Sequence, residues 1–127
     1  MSVFHLNDVP GIHFPAGRLT RVLAGSGAPV EPDHFVMGHV TIYPGGEVPG
    51  HAHGQEEVYF IISGRGTIDL GGERTPVEAG SYVAIRPMQE HALRNTAKED
   101  LVMLFCYAPK GIVDHWQKEL ESAEEER

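Results

Sequence analysis

At 127 residues the chain has room for one domain with a core of its own and no comfortable room for a second. Eighteen acidic against ten basic residues leave a formal charge of −8, and with no Lys/Arg cluster a nucleic-acid partner is not expected. The lone Cys106 excludes an internal disulfide, no apolar run reaches the about 18 residues of a membrane span, and Met1-Ser2-Val3-Phe4-His5 carries no basic leader, so a soluble, cytoplasmic protein is expected.

Residues 1 to 17 mix apolar residues with Pro10, Gly11, Pro15 and Gly17 and read as an extended arm lying over a sheet edge or a second subunit. Arg18 to Ala24 has the composition of a short strand, and the breaker-rich loop 25–33 completes an N-terminal region of 1–33. From His34 to Tyr43 the chain is strand-like again, with Val36, Gly38, Val40 and Ile42 predicted to form an inner wall and His39 to face outward. Val58 to Ile62 is a β-branched and aromatic run, and Gly64-Arg65-Gly66 predicts a bend or bulge after it. Thr67 to Leu70, Gly71-Gly72 and Glu73 to Val77 spell a hairpin with a primed turn. Strands near 82–86, 91–95 and 101–107 follow, and Cys106 is expected to be buried within the last. Only after Pro109-Lys110-Gly111 does the period become helical, with Val113, Trp116 and Leu120 predicting a short helix over about 112–123. The crowded Glu119, Glu121, Glu124, Glu125 and Glu126 read as a solvated face and tail.

The chemistry is concentrated in the segment from Gly45 to Gly64. His51 and His53, one residue apart on an extended segment, point to the same side, with backbones roughly 7 Å apart, which suits a shared metal ion. Glu57 would start about 13 Å from His53 if the strand ran straight. A turn at Gly54-Gln55, where glycine accepts positive φ, is therefore expected to bring Glu57 to the same ion and to leave Glu56 facing away. A third histidine, His91, opens a later strand after Gly80 to Glu90.

With these residues in place the chain resembles a single-domain cupin. Gly45, His51, His53, Glu57 and Gly64 meet the first motif of that family in full, and Gly80, His91 and Asn95 fit the spacing of the second. Arg86 stands where the family usually has proline, and Met88 where it usually has glycine. The resemblance covers roughly residues 36 to 107. It implies an all-β fold, the double-stranded β-helix or jelly-roll barrel, with a core of about 34–108 inside one domain of 1–127. It also implies a homodimer and a metal held by His51, His53, Glu57 and His91.

Three neutral imidazoles and one carboxylate leave a divalent ion with a net charge near +1 and, if octahedral, two open positions. Manganese, iron, cobalt, nickel, copper and zinc all suit such a set. Because histidine must shed its proton to bind, metal loss is expected below about pH 6. Tyr59, one pleat beyond Glu57 on the same face, is a candidate acid or base, or simply part of the wall; some cupin lyases are similar in placing a tyrosine here. Asn95 is expected to bond backbone, and Arg86 and Arg94 to face water unless they meet a substrate carboxylate. His5, His13, His34, His39 and His115 have no partner at ligand spacing. The expected function is a small-molecule metalloenzyme, a dioxygenase, isomerase, decarboxylase or lyase acting on a small polar or acidic substrate. The alternative is a non-catalytic module that binds or senses a small ligand or sugar around a structural metal.

Overall fold

The computed structural model describes residues 2–111 and Glu119. A short 3-10 turn at Leu6–Asp8 precedes ten strands: β1 (Ile12–Phe14), β2 (Arg18–Ala24), β3 (Val36–Ile42), β4 (Glu47–His51), β5 (Glu56–Ser63), β6 (Arg65–Leu70), β7 (Glu73–Glu78), β8 (Tyr82–Ile85), β9 (His91–Arg94) and β10 (Leu101–Ala108). They form a six-stranded sheet in the order β1-β2-β3-β10-β5-β8 facing a four-stranded sheet in the order β4-β9-β6-β7. Every ladder within the two sheets is antiparallel. Two facing antiparallel sheets of this kind make a jelly-roll barrel, the architecture expected.

Alternation along the strands creates the interior. Val36, Gly38, Val40 and Ile42 of β3 are buried and the residues between them are not, as the period of two predicts. The neighbouring β10 buries Leu101, Met103, Phe105 and Tyr107. Gly38 is needed on this wall because a Cβ there would lie 2.4 Å from the Phe105 ring. From the second sheet Val48, Ile68, Val77 and Leu93 close the same core. Leu93, Ile42, Ile61 and Leu101 are fully enclosed, and each contributes about 2 kcal/mol by leaving water.

Several expectations need correction. The N-terminal arm is not merely draped: β1 pairs with β2, placing Phe14 opposite Arg18, and so occupies the sheet edge beside β2. The break expected over Gly64-Arg65-Gly66 is confined to Gly64, at φ 91°, because Arg65 and Gly66 already belong to β6. No side chain fits at Gly64, where a Cβ would lie 2.4 Å from the Asp100 carbonyl oxygen. Cys106 is exposed, since the parity that sends Phe105 and Tyr107 inward turns the residue between them out. The Gly71-Gly72 hairpin is as expected, with both residues at positive φ. The helix expected over about 112–123, with Trp116 and His115, lies outside the described residues except for Glu119, which is helical. Among the described residues no helix is long and apolar enough to cross a membrane.

Asn95 pins the turn after β9. Buried at the strand end, its amide donates to the carbonyls of Ile42 and Glu99 at 2.9 and 2.7 Å, and its Oδ1 accepts from the Ala97 N–H at 2.9 Å. Its role is to bond backbone, as expected. Arg94 is exposed and reaches Glu47 at 3.0 Å, and Arg86 is exposed as well.

Candidate metal centre

Two connections, from β4 to β5 and from β8 to β9, bring the site together. β4 ends at His51, two further residues carry the chain to His53, and β5 begins at Glu56, so that Glu57 is the first inward residue of its strand. Glu56 faces out. The turn does not use left-handed glycine as expected: Gly54 is not among the residues of positive φ, and a Cβ on it would meet nothing within 4 Å. Instead the loop is tied down by backbone bonds, with the Met88 N–H donating to the His53 carbonyl at 2.7 Å. Met88 itself lies at φ 64°, the left-handed region in which glycine is at ease. The backbone has kept a glycine's conformation at the position where the side chain departs from the family pattern. His91 opens β9 directly opposite His51.

One potential ligand atom from each of His51, His53, Glu57 and His91 lies within 4.8 Å of all the others. Donors bound about 2.1 Å from one ion are about 3 Å apart when adjacent and about 4.2 Å apart when opposite, so closure on an ion needs only small movements. Two contacts already have the adjacent spacing. His53 Nε2 and His91 Nε2 stand 3.1 and 3.3 Å from Glu57 Oε1.

Each imidazole is oriented by its other nitrogen. Nδ1 of His51 donates to the Pro49 carbonyl at 2.8 Å, that of His53 to the Gln55 carbonyl at 3.0 Å and that of His91 to the Gln89 carbonyl at 2.9 Å. A carbonyl oxygen only accepts, so the proton of each neutral ring sits on Nδ1 and the Nε2 lone pair is turned toward the cluster. The result is sharpest at His91. Its Nε2 is buried with no hydrogen-bond partner among the described residues, yet it faces a carboxylate oxygen. Two acceptors left facing each other away from water are unfavourable, and a cation between them removes the conflict. The donor set therefore fits a divalent ion.

The electrostatics agree. Burial first and the nearby His91 second bring the His51 pKa down to about 4, so this ring is neutral at physiological pH. His53 is shifted upward, chiefly by its hydrogen bond to Glu57 against the opposing effect of burial. Burial alone would raise the Glu57 pKa, but the contacts with His53 and His91 outweigh it and hold the carboxyl below its usual range. Without an ion, then, the two shifts favour an ionised Glu57 beside His53, the ring of the three whose protonated form the carboxylate stabilises.

Tyr59 follows Glu57 on the inner wall, paired with Phe105 and Val83, and its ring centre is 5.9 Å from that of His91. Burial and the Glu57 charge push its pKa well above the ordinary tyrosine value, which keeps the phenol protonated. Tyr107, with its ring centre 6.0 Å from that of His53, is raised to about 12 by burial and Glu57. A cavity of about 20 Å3, room for one water, lies behind the cluster among Arg18, Thr20, Val40, Tyr59 and Phe105. A larger crevice of about 680 Å3 runs between the N-terminal segment and β2, but none of the four clustered residues lines it. Of the other histidines, His5 caps the 3-10 turn, His13 stacks on Tyr43, His34 is exposed and His39 faces outward as predicted. Sequence reasoning passed over Arg18 and Thr20, which look into the interior beside the cluster.

Relatives share this core. An oxalate-binding protein of Thermotoga maritima is 34% identical over 70 residues, 54% of this chain and 58% of its own length. An L-ectoine synthase of Vibrio campbellii is also 34% identical over 70 residues, covering 54% of this chain and 55% of that one. The chain thus spans about half the length of such curated relatives. The crystal structure of a predicted oxalate decarboxylase from Thermotoga maritima superposes with a TM-score of 0.73 at 18% identity, over 84% of this chain and 98% of that one, which establishes the shared fold. The family model described as a cupin domain matches residues 38–107, more than half of the sequence. Together with the jelly-roll architecture, that match makes this chain a member of the cupin domain family.

Proposed function

We propose that the chain, as one domain over 1–127, holds one divalent transition-metal ion through His51, His53, Glu57 and His91 and uses it as a metalloenzyme on a small polar or acidic substrate. The supporting observation is the set of three imidazoles, each anchored through Nδ1 to a backbone carbonyl and each turned toward the buried Glu57 carboxylate. When bound, such an ion supplies Lewis acidity and open positions for substrate oxygen atoms.

The chain's own residues do the rest. Glu57 balances part of the cation's charge, and the three Nδ1 bonds hold the ligand rings in place. Val40, Met103 and Phe105 line the inner side of the site beside the polar Arg18 and Thr20 and shield it from bulk water, which strengthens charge interactions there. Tyr59, kept protonated, can donate a hydrogen bond or a proton to a developing anion but does not serve as the base in the ion-free site. The reaction belongs to the group of oxygen insertion, isomerisation, decarboxylation and elimination, and the fold does not choose among them. Turnover of a member of a panel of small acids, sugars and aromatic diols, abolished in a folded His51→Ala variant, tests the proposal.

A second reading is a binding module without turnover, since the same four side chains would hold a structural ion equally well. Saturable binding of one panel member with no chemical change over long incubation would favour it. The proposal also includes a homodimer. The outer face of β5 and β8 exposes Val58, Phe60, Ile62 and Tyr82, an apolar sheet surface suited to a second copy of itself. A two-chain mass by sedimentation, reduced to one chain by Phe60→Glu, is expected; a one-chain mass for the unaltered protein at micromolar concentration contradicts it.

A further inference from the structure

Strand β2 sends two polar side chains where a strand of this kind ordinarily sends apolar ones. Arg18 and Thr20 are 1% and 4% exposed, and both line the interior cavity whose other wall holds His51, Glu57 and Tyr59. The Arg18 guanidinium is held from several sides. Its Nη1 donates to the Glu47 carbonyl at 3.1 Å and to Glu119 Oε2 at 2.7 Å, its Nη2 donates to Glu119 Oε1 at 2.6 Å, and its carbon lies 4.2 Å from the centre of the Phe14 ring. The two bonds to Glu119 are the paired fork with which arginine grips a carboxylate. Thr20 Oγ1 is buried with no hydrogen-bond partner among the described residues.

A buried ion pair is a weak source of stability, because desolvation consumes most of the attraction. A buried hydroxyl left without a partner is a net cost. Both features, adjacent on one strand and opening on the same cavity as the ligand cluster, make sense if that interior receives a polar ligand. We propose that Arg18 and Thr20 form a carboxylate-binding subsite of the same chamber, and that Glu119 is its intramolecular occupant. The substrate class is then a small acid with a carboxylate for Arg18 and, at its other end, an oxygen for the metal cluster. This deepens the proposed function and rests on it for the second contact only.

With room for one water the small cavity takes no carbon acid as it stands, and Glu119 is not among the residues that line it; a carboxylate gains Arg18 only by displacing that of Glu119, whose shape it shares. An internal carboxylate competes at the effective concentration of a tethered group, so its removal frees the subsite. Glu119→Gln keeps the side chain's size and removes its charge.

Isothermal titration of the full chain, with and without added metal, using malonate as probe and malonamide as its uncharged counterpart, tests the idea. In the metal-free protein Glu119→Gln is expected to bind malonate tighter than the unaltered chain by about tenfold or more, with no such gain for malonamide. Adding Arg18→Lys, which keeps the charge but loses the fork, is expected to remove most of that gain, and Arg18→Met all of it. Equal malonate affinity for the unaltered chain and Glu119→Gln would overturn the proposal. So would full affinity in the Arg18→Lys, Glu119→Gln double variant, which decides the matter if Arg18→Met fails to fold. Failure to take up any metal would count against the proposed function alone, because the metal-free titrations are read separately.

Discussion

Met88 offers a quantitative test of how the loop before His91 is built. Its φ of 64° is a conformation that costs an L-residue about 1–2 kcal/mol, and glycine pays no such steric penalty. The side chain is 67% exposed, so its truncation forfeits little burial. Met88→Gly should therefore recover the steric cost, less the about 0.4–1 kcal/mol by which glycine stabilises the unfolded chain through added freedom. The net expectation is a gain of about 0.5–1 kcal/mol, or about 2–4 °C in Tm for a domain of this size. Met88→Ala removes the same side chain while keeping the strained Cβ, and should leave stability unchanged within about 0.5 kcal/mol. Urea unfolding of the three metal-free proteins at neutral pH measures both differences. If Met88→Gly is destabilised and Met88→Ala is not, the backbone at this position gains nothing from glycine and the strain argument fails.

Asn95→Ala removes three hydrogen bonds, one of them buried and two partly so, and leaves the Ile42 and Glu99 carbonyls short of a donor, for an expected loss of about 2–3 kcal/mol in urea unfolding. A loss below about 1 kcal/mol would mean that water replaces the amide. Gly64→Ala, which sets a Cβ against the Asp100 carbonyl, should destabilise strongly, whereas Gly54→Ala should stay within about 0.5 kcal/mol of the unaltered chain. Acid should weaken the metal-free protein through His51. Its native pKa of about 4 lies below the ordinary 6.5, so the unfolded chain binds the extra proton between those values. The contribution is complete above pH 6.5, is lost as pH falls toward 4, and amounts to about 3 kcal/mol, seen as a stability difference from His51→Gln that shrinks by that amount over this range. His53 has the opposite sign: its raised pKa stabilises below 6.5 and the effect is lost as pH rises through the folded value. Metal uptake must displace that proton, so affinity should begin to fall as pH drops through the raised His53 value, already above 6.5.

The ligand cluster was legible because its geometry is local and demanding. Two imidazoles on one extended face and a carboxylate beyond a turn leave few solutions, and the four side chains do come together, although the turn between them does not use a left-handed Gly54 as expected. The strands were legible for a similar reason: β3 and the β6–β7 hairpin carry period and turn residues that point the same way. The failures share a cause. Cys106 lies in an apolar run with no polar residue to reveal which positions face out, so composition implied burial where the ladder to β3 and β5 imposes exposure. On β2 the polar Arg18 and Thr20 point inward, the reverse of the rule by which a strand's core face is read. Nothing near them in the sequence announces a partner, because Glu119 lies 101 positions away.

Elemental analysis of the purified protein, before and after equilibration with manganese, iron, nickel and zinc salts, addresses the central claim most directly. The convergent imidazoles and the Glu57 carboxylate predict about one divalent transition-metal ion per chain, lost on His91→Ala with the fold intact. A folded, unaltered protein that retains none of these ions at neutral pH would contradict the account.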